Sequence, residues 1–262
     1  MTSIDSQTFL QHLYFRKSRS FSALVLTLIL ATPSVFAQHL SASAFTPNVT
    51  SGELAATWSQ LSDQPPAKVI AQLKEELGAY DVRLPEILRV FGRQYQEAGD
   101  HASALELLSN SWQLSRINEG FYSSSQIATL ELIIYSDTEL GNWSDVDNHY
   151  AYLELLHRRA FDDNDPRLEI GLQKVSAWHV NALSLRVGSK ERIHHLRSAY
   201  HLFKDRLAIA EKNLDATDPK FGYLRESIKL TEAQLRFNSN RDKAAILQQQ
   251  VVGIGSLIAD NY

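Results

Sequence analysis

Three observations predict an all-α chain built of helical hairpins. Apolar residues recur three and four apart over nearly all of the sequence after residue 50, and almost nothing alternates as a strand would. Gly, Asn and Asp-Pro breaks interrupt that pattern at about helix-length intervals. The connections left between helices are short, which favours antiparallel helical neighbours over a βαβ order.

The N-terminus reads as an export signal. Residues 1–20 carry Arg16, Lys17 and Arg19, and the short apolar run Phe21 to Ala31 follows. Small residues Val35 and Ala37 then stand three and one before a cut after Ala37, completing the three-part pattern of a secretory signal peptide over 1–37. The apolar run is shorter than the roughly 20 residues that span a bilayer core. No Cys follows it, and the chain contains none, so an exported form must be held by its own core. Removing residues 1–37 takes away three basic groups and one acidic group (Asp5), shifting the formal charge from −4 to −6. That mild acidity argues against a nucleic-acid binder, which needs a basic patch to neutralise phosphates. No later apolar run is long enough to insert stably in a membrane.

Residues 38–50, rich in Ser, Ala, Thr and Pro, read as a flexible linker. Leu54, Trp58 and Leu61, then Val69, Leu73 and Leu77, suggest an N-terminal capping hairpin over 51–83, with Leu73, Leu77 and Tyr80 on one face. Beyond it, Leu84, Leu88, Phe91 and Tyr95 share a face, as do Leu105, Leu108 and Trp112. The later faces are Leu130, Ile133 and Ile134; Leu153, Leu156 and Ala160; Leu172, Val175 and Trp178; and Leu196, Tyr200, Phe203 and Leu207. Breaks are expected at Pro65-Pro66, Gly99-Asp100, Glu119-Gly120, Gly141-Asn142, Asp165-Pro166, Gly188-Ser189 and Asp218-Pro219. Aspartate before proline both caps and pre-shapes a first turn.

The stretch Leu84 to Trp112 places Leu88, Phe91, Gly92 and Tyr95 before Gly99, and Ala104 and Leu108 after it. It resembles a tetratricopeptide repeat (TPR), with Leu108 in place of an aromatic residue and no Pro at the repeat end. Weaker copies centre on Gly141, on Gly188 and on Asn238-Ser239-Asn240, the last with Ala245 and Gln249 behind it. Their spacings of 42, 47 and 52 residues exceed the roughly 34 of the standard repeat, and look like the longer helices of kinesin-light-chain repeats. The resemblance implies a right-handed α–α superhelix over 84–262, with a final capping helix from Lys243 to Asp260. It also implies a concave groove lined by the first helix of each hairpin. Residues expected in that groove are Glu86, Arg89, Arg93 and Gln96; Glu131, Tyr135 and Glu139; Trp178 and Arg186; and Gln234 and Phe237. Arg89 and Arg93, four apart, would offer paired donors to an acidic partner segment. Trp178 and Phe237 read equally as core, and the two arginines as a solvated face bridged to Glu86 and Glu97.

Residue patterns for catalysis are missing. His149 and His157 are eight apart and share a face only loosely, while His194 and His195 are adjacent and should point apart. With no His-Glu-x-x-His and no Cys, neither a metal site nor a cofactor is expected. Asp162-Asp163-Asn164-Asp165-Pro166 lacks the central Gly and distant Glu of a calcium loop. Glu75-Glu76 is a solvated face. No nucleophile elbow, P-loop or dinucleotide fingerprint is present. The expectation is an exported, periplasmic, non-enzymatic adaptor holding a protein or peptide of an envelope complex. The rivals are an accessory subunit of an envelope enzyme and a cell-wall hydrolase, which would need paired carboxylates facing one cleft.

Overall fold

The structure, a computed structural model, describes residues 59–61, 64–185 and 189–259, with side chains described up to residue 240 except at 189 and 239. The signal segment, the linker, Leu54, Trp58 and Arg186 lie outside the described residues. The helices are α1 (Pro66–Leu77), α2 (Leu84–Glu97), α3 (His101–Glu119), α4 (Gln126–Leu140), α5 (Trp143–Ala160), α6 (Pro166–Ala182), α7 (Ser189–Asn213) and α8 (Lys220–Ala259). No strand occurs among the described residues.

Local chemistry sets the boundaries. Proline opens α1 and α6 and lies in the first turn of α2, where its missing N–H costs no helical bond. Asp100 caps α3 by accepting from the Ser103 amide at 3.0 Å, and Asp165 caps α6 by accepting from Arg167 at 2.9 Å. The turns after α2 and α4 are built alike. The amides of Asp100 and Gly99 donate to Tyr95 and Gln96, and those of Asn142 and Gly141 donate to Asp137 and Thr138. This is the paired bonding of a Schellman turn, and it needs a left-handed residue. Gly99 (φ 82°) and Gly141 (φ 76°) supply it.

The helices pack in chain order as hairpins α2/α3, α4/α5 and α6/α7, each lying against the next, and α8 lies along α7. Named contacts resolve two layers. In one, the Gln96 amide of α2 donates to Leu132 O and Ser136 Oγ of α4, both at 2.7 Å. Lys174 of α6 bonds Glu131 of α4 in the same layer. In the other layer, Trp112 of α3 packs edge-on to His149 and Tyr152 of α5, and Arg158 of α5 bonds Asp205 of α7 at 2.6 Å. First helices thus neighbour first helices, and second helices neighbour second helices. This is how repeated hairpins stack when each lacks a partner for one face.

Close helix contact depends on two glycines. A Cβ on Gly92 would stand 2.6 Å from Leu108 Cγ, and one on Gly171 would stand 2.1 Å from His157 Cδ2. The first is the α2/α3 crossing anticipated from Gly92 and Ala104, and Ala104 is fully buried beside it. The core runs from Leu61, Val69 and Leu73 through Leu88, Phe91 and Leu107 to Ile133. It continues through Leu153, Leu156 and Trp178, and ends around Phe203, Phe221 and Leu224. Tyr95 reaches back towards the N-terminal cap, donating to Gln64 O at 3.0 Å.

Two expectations are corrected. Tyr80 lies in the turn after α1 and is 68 % exposed, not on the core face of Leu73 and Leu77. The turn and fourth hairpin expected at Asn238-Ser239-Asn240 do not form, because α8 runs unbroken through them. That segment has no Gly or Pro to end a helix. Asn238 instead donates its side-chain amide back to Gln234 O at 2.8 Å, and Arg236 pairs with Glu232 one turn earlier. Among the described residues no helix is long and apolar enough to cross a membrane.

Candidate functional site

The layer of first helices carries a row of polar side chains. On α2, Arg93 and Glu97 are exposed. Glu86 and Arg89 are partly exposed and bonded to each other, with Arg89 Nε donating to Glu86 Oε2 at 3.0 Å. On α4, Glu139 is exposed, and Tyr135 stands edge-on to His101 with ring centroids 5.3 Å apart. Burial, with the nearby charge of Glu139, raises the Tyr135 phenol above its ordinary range. Glu131 is tied to Lys174. On α8, Phe237 is 68 % exposed and Gln234 partly so. Arg89 is therefore engaged by Glu86, as the solvated-face reading has it. Arg93 has no ion-pair partner among the described residues.

Two residues expected in the groove are packing residues. Gln96 is 7 % exposed, and its amide clamps α2 to α4 through the bonds given above. Trp178 is 7 % exposed and sits at the centre of an aromatic stack. Tyr150 lies parallel to it at 5.2 Å between centroids, with Trp143 on it at 6.4 Å, and its indole N–H donates to Asp147 Oδ1 at 2.7 Å. A large aromatic with a satisfied polar handle stays inside.

An aromatic and arginine patch lies at the end of α3 and on the adjoining loop. The Arg116 guanidinium stands 4.7 Å from the Phe121 ring, 5.1 Å from Trp112 and 5.9 Å from Tyr152. Arg159 covers Tyr122 at 5.5 Å, and the Tyr152 hydroxyl donates to Phe121 O at 2.6 Å. Ile117, Phe121 and Tyr122 are each at least half exposed. Arg, Tyr and Trp together make the composition of binding hot spots. The sequence signal was Phe121-Tyr122 directly after a helix break, where a chain with nothing to contact would place polar residues.

The main departure concerns histidine. His179 of α6 and His194 and His195 of α7 each offer a ring nitrogen, and the three lie within 4.8 Å of one another. His179 Nδ1 and His195 Nδ1 are 2.9 Å apart. Adjacent side chains on a helix diverge by about 100°, but the imidazoles of His194 and His195 still come to 5.4 Å between centroids against His179. The separation inferred from adjacency is corrected by the α6/α7 packing. Burial pushes His179 down to about 4 and lowers His195 as well.

No family model matches the sequence, and no curated protein matches it. Solved structures do match. One contains the nearly identical TPR-like repeats of a kinesin-light-chain-type protein of Podosopora anserina. It has 16 % identity, covers 78 % of this chain and 88 % of that one, and gives a TM-score of 0.49. A substituted form of the same repeats matches at 15 % identity over 78 % of this chain and 87 % of that one, with a TM-score of 0.48.

Proposed function

We propose that the chain is an exported, non-enzymatic scaffold that holds a protein or peptide partner of an envelope complex along its first-helix layer. The observation that supports this reading is the two-layer order of the hairpins. Bonds join α2 to α4 and α4 to α6, so exposed side chains from successive hairpins form one row instead of separate patches. Arg93 supplies an open positive group in that row, and Arg89 lies one turn away, able to exchange Glu86 for an acidic segment of the partner. Export rests on the basic, apolar and small-residue order of residues 1–37.

A photo-reactive side chain placed at position 93, and separately at the exposed position 106 on α3, tests the surface in envelope extract. A discrete protein adduct is expected from position 93 and not from position 106. Its loss is expected when Arg89→Glu is added, provided the circular-dichroism signal stays helical. Equal adducts from both positions would reject the first-helix layer as the site. Mass spectrometry of the native protein should give an N-terminus at Gln38, and a soluble cytoplasmic form starting at Met1 would reject export.

A further inference from the structure

We propose that His179, His194 and His195 form a binding site for a single borderline transition-metal ion of the zinc(II) class, which staples α6 to α7. The site is independent of the first-helix row. Its three donors come from two helices that are consecutive in the chain, α6 ending at Ala182 and α7 beginning at Ser189.

The geometry is close to that of a bound site. Zinc–imidazole bonds of about 2.0–2.1 Å at tetrahedral angles put ligand nitrogens about 3.3 Å apart. The His179–His195 pair, at 2.9 Å, has to open by only a few tenths of an ångström. The third nitrogen starts no further than 4.8 Å from the others. It belongs to His194, which is exposed and can turn at its rotamer, and which also leaves an entry path from solvent. The two buried rings, 6 % and 5 % exposed, cannot wander.

The surroundings suit a cation. Asp147 Oδ1 lies 3.8 Å from His195 Nδ1, and the Trp178 indole N–H holds that carboxylate in place. It stands beside the ligating nitrogen itself, where it could complete the coordination. Asp147 and Glu191 place negative charge near the cluster. Neutral imidazoles with a carboxylate and no thiolate favour zinc, copper(II) or nickel over calcium or magnesium, which take oxygen ligands. Without a metal, the facing nitrogens can share one hydrogen bond only by adopting different tautomers. A metal uses both lone pairs at once.

Tag-free protein, stripped with a chelator and dialysed, is titrated with zinc chloride by calorimetry, and its melting is followed with and without zinc. One equivalent should bind, melting should rise, and excess chelator should reverse the rise. His194→Ala changes an exposed residue, so it should keep the metal-free melting temperature and weaken binding at least tenfold. His201→Ala, at an exposed histidine outside the cluster, should bind as wild type does. Cobalt(II) should give visible absorption bands in wild type that zinc displaces and that His194→Ala lacks. Absence of stoichiometric zinc binding, or equal binding by wild type and His194→Ala, would overturn the proposal.

Discussion

Gly171→Ala probes the seam between the second and third hairpins. Gly171 lies on α6 where it crosses α5, and an added methyl carbon would stand 2.1 Å from His157 Cδ2, 2.2 Å from Cγ and 2.6 Å from Nε2. Carbon atoms prefer about 3.5–4.0 Å, so the ring would have to retreat by more than an ångström. It cannot do so easily. His157 is 4 % exposed, its Nδ1 bonds Leu153 O at 2.9 Å, and Phe161 stands beside it at 5.6 Å between ring centroids. Overpacking costs about 1–3 kcal/mol, and this contact belongs at the upper end. Alanine recovers up to about 1 kcal/mol of helix preference, leaving a net loss of about 2 kcal/mol. For a domain of this size that lowers melting by roughly 4–8 °C. Gly222→Ala is the control, because a Cβ there meets nothing within 4 Å, and it should gain up to about 1 kcal/mol. Adding His157→Ala to Gly171→Ala should destabilise less than the two single losses summed. Differential scanning calorimetry reads all four variants. A Gly171→Ala protein that melts at or above wild type would refute the crossing.

Three further outcomes follow from the packing. Gly92→Leu forces four carbons towards Leu108 and Ala104 and should cost about 3 kcal/mol, read as a lower urea midpoint. Glu169→Gln should cost about 3–5 kcal/mol, because it strips the counter-ion from Arg206, which is 2 % exposed and bonded to Glu169 at 3.0 Å and Ser176 at 2.9 Å. An unchanged urea midpoint would show that this ion pair holds nothing. Burial holds His157 below its ordinary value, outweighing its bond to Leu153 O. Its folded pKa lies below the unfolded one of about 6.5, so the stability it contributes is full above that pH and is lost as pH falls. Melting temperature should therefore drop more steeply from pH 7.5 to 5 in wild type than in His157→Gln, and parallel curves would contradict this.

Some features were legible because they are local. Helix starts at Pro66, Asp100 and Asp165, and the glycine turns at Gly99 and Gly141, follow from capping and backbone conformation, which depend on a few adjacent residues. The Gly92 contact was legible because a glycine followed by a small residue across a turn marks a close crossing. Tyr80 and Asn238 misled for the same kind of reason. An apolar spacing extends past a helix end without a visible stop, and asparagines read as a turn where no glycine or proline enforces one.

The sequence by itself determined the all-helical class, the hairpin order and most helix ends, because periodicity and caps act within a turn or two of chain. Only the tertiary structure decided which side chains from different helices meet. Trp178 and Gln96 sit on helix faces that sequence leaves equally open to core or groove, and the neighbouring hairpins buried them. Arg206 finds Glu169 from 37 residues away, and His179 faces His195 from 16 away on the next helix. Such pairings depend on how two helices cross and rotate against each other, which is set by packing summed over the whole interface. No spacing rule within one helix carries that information.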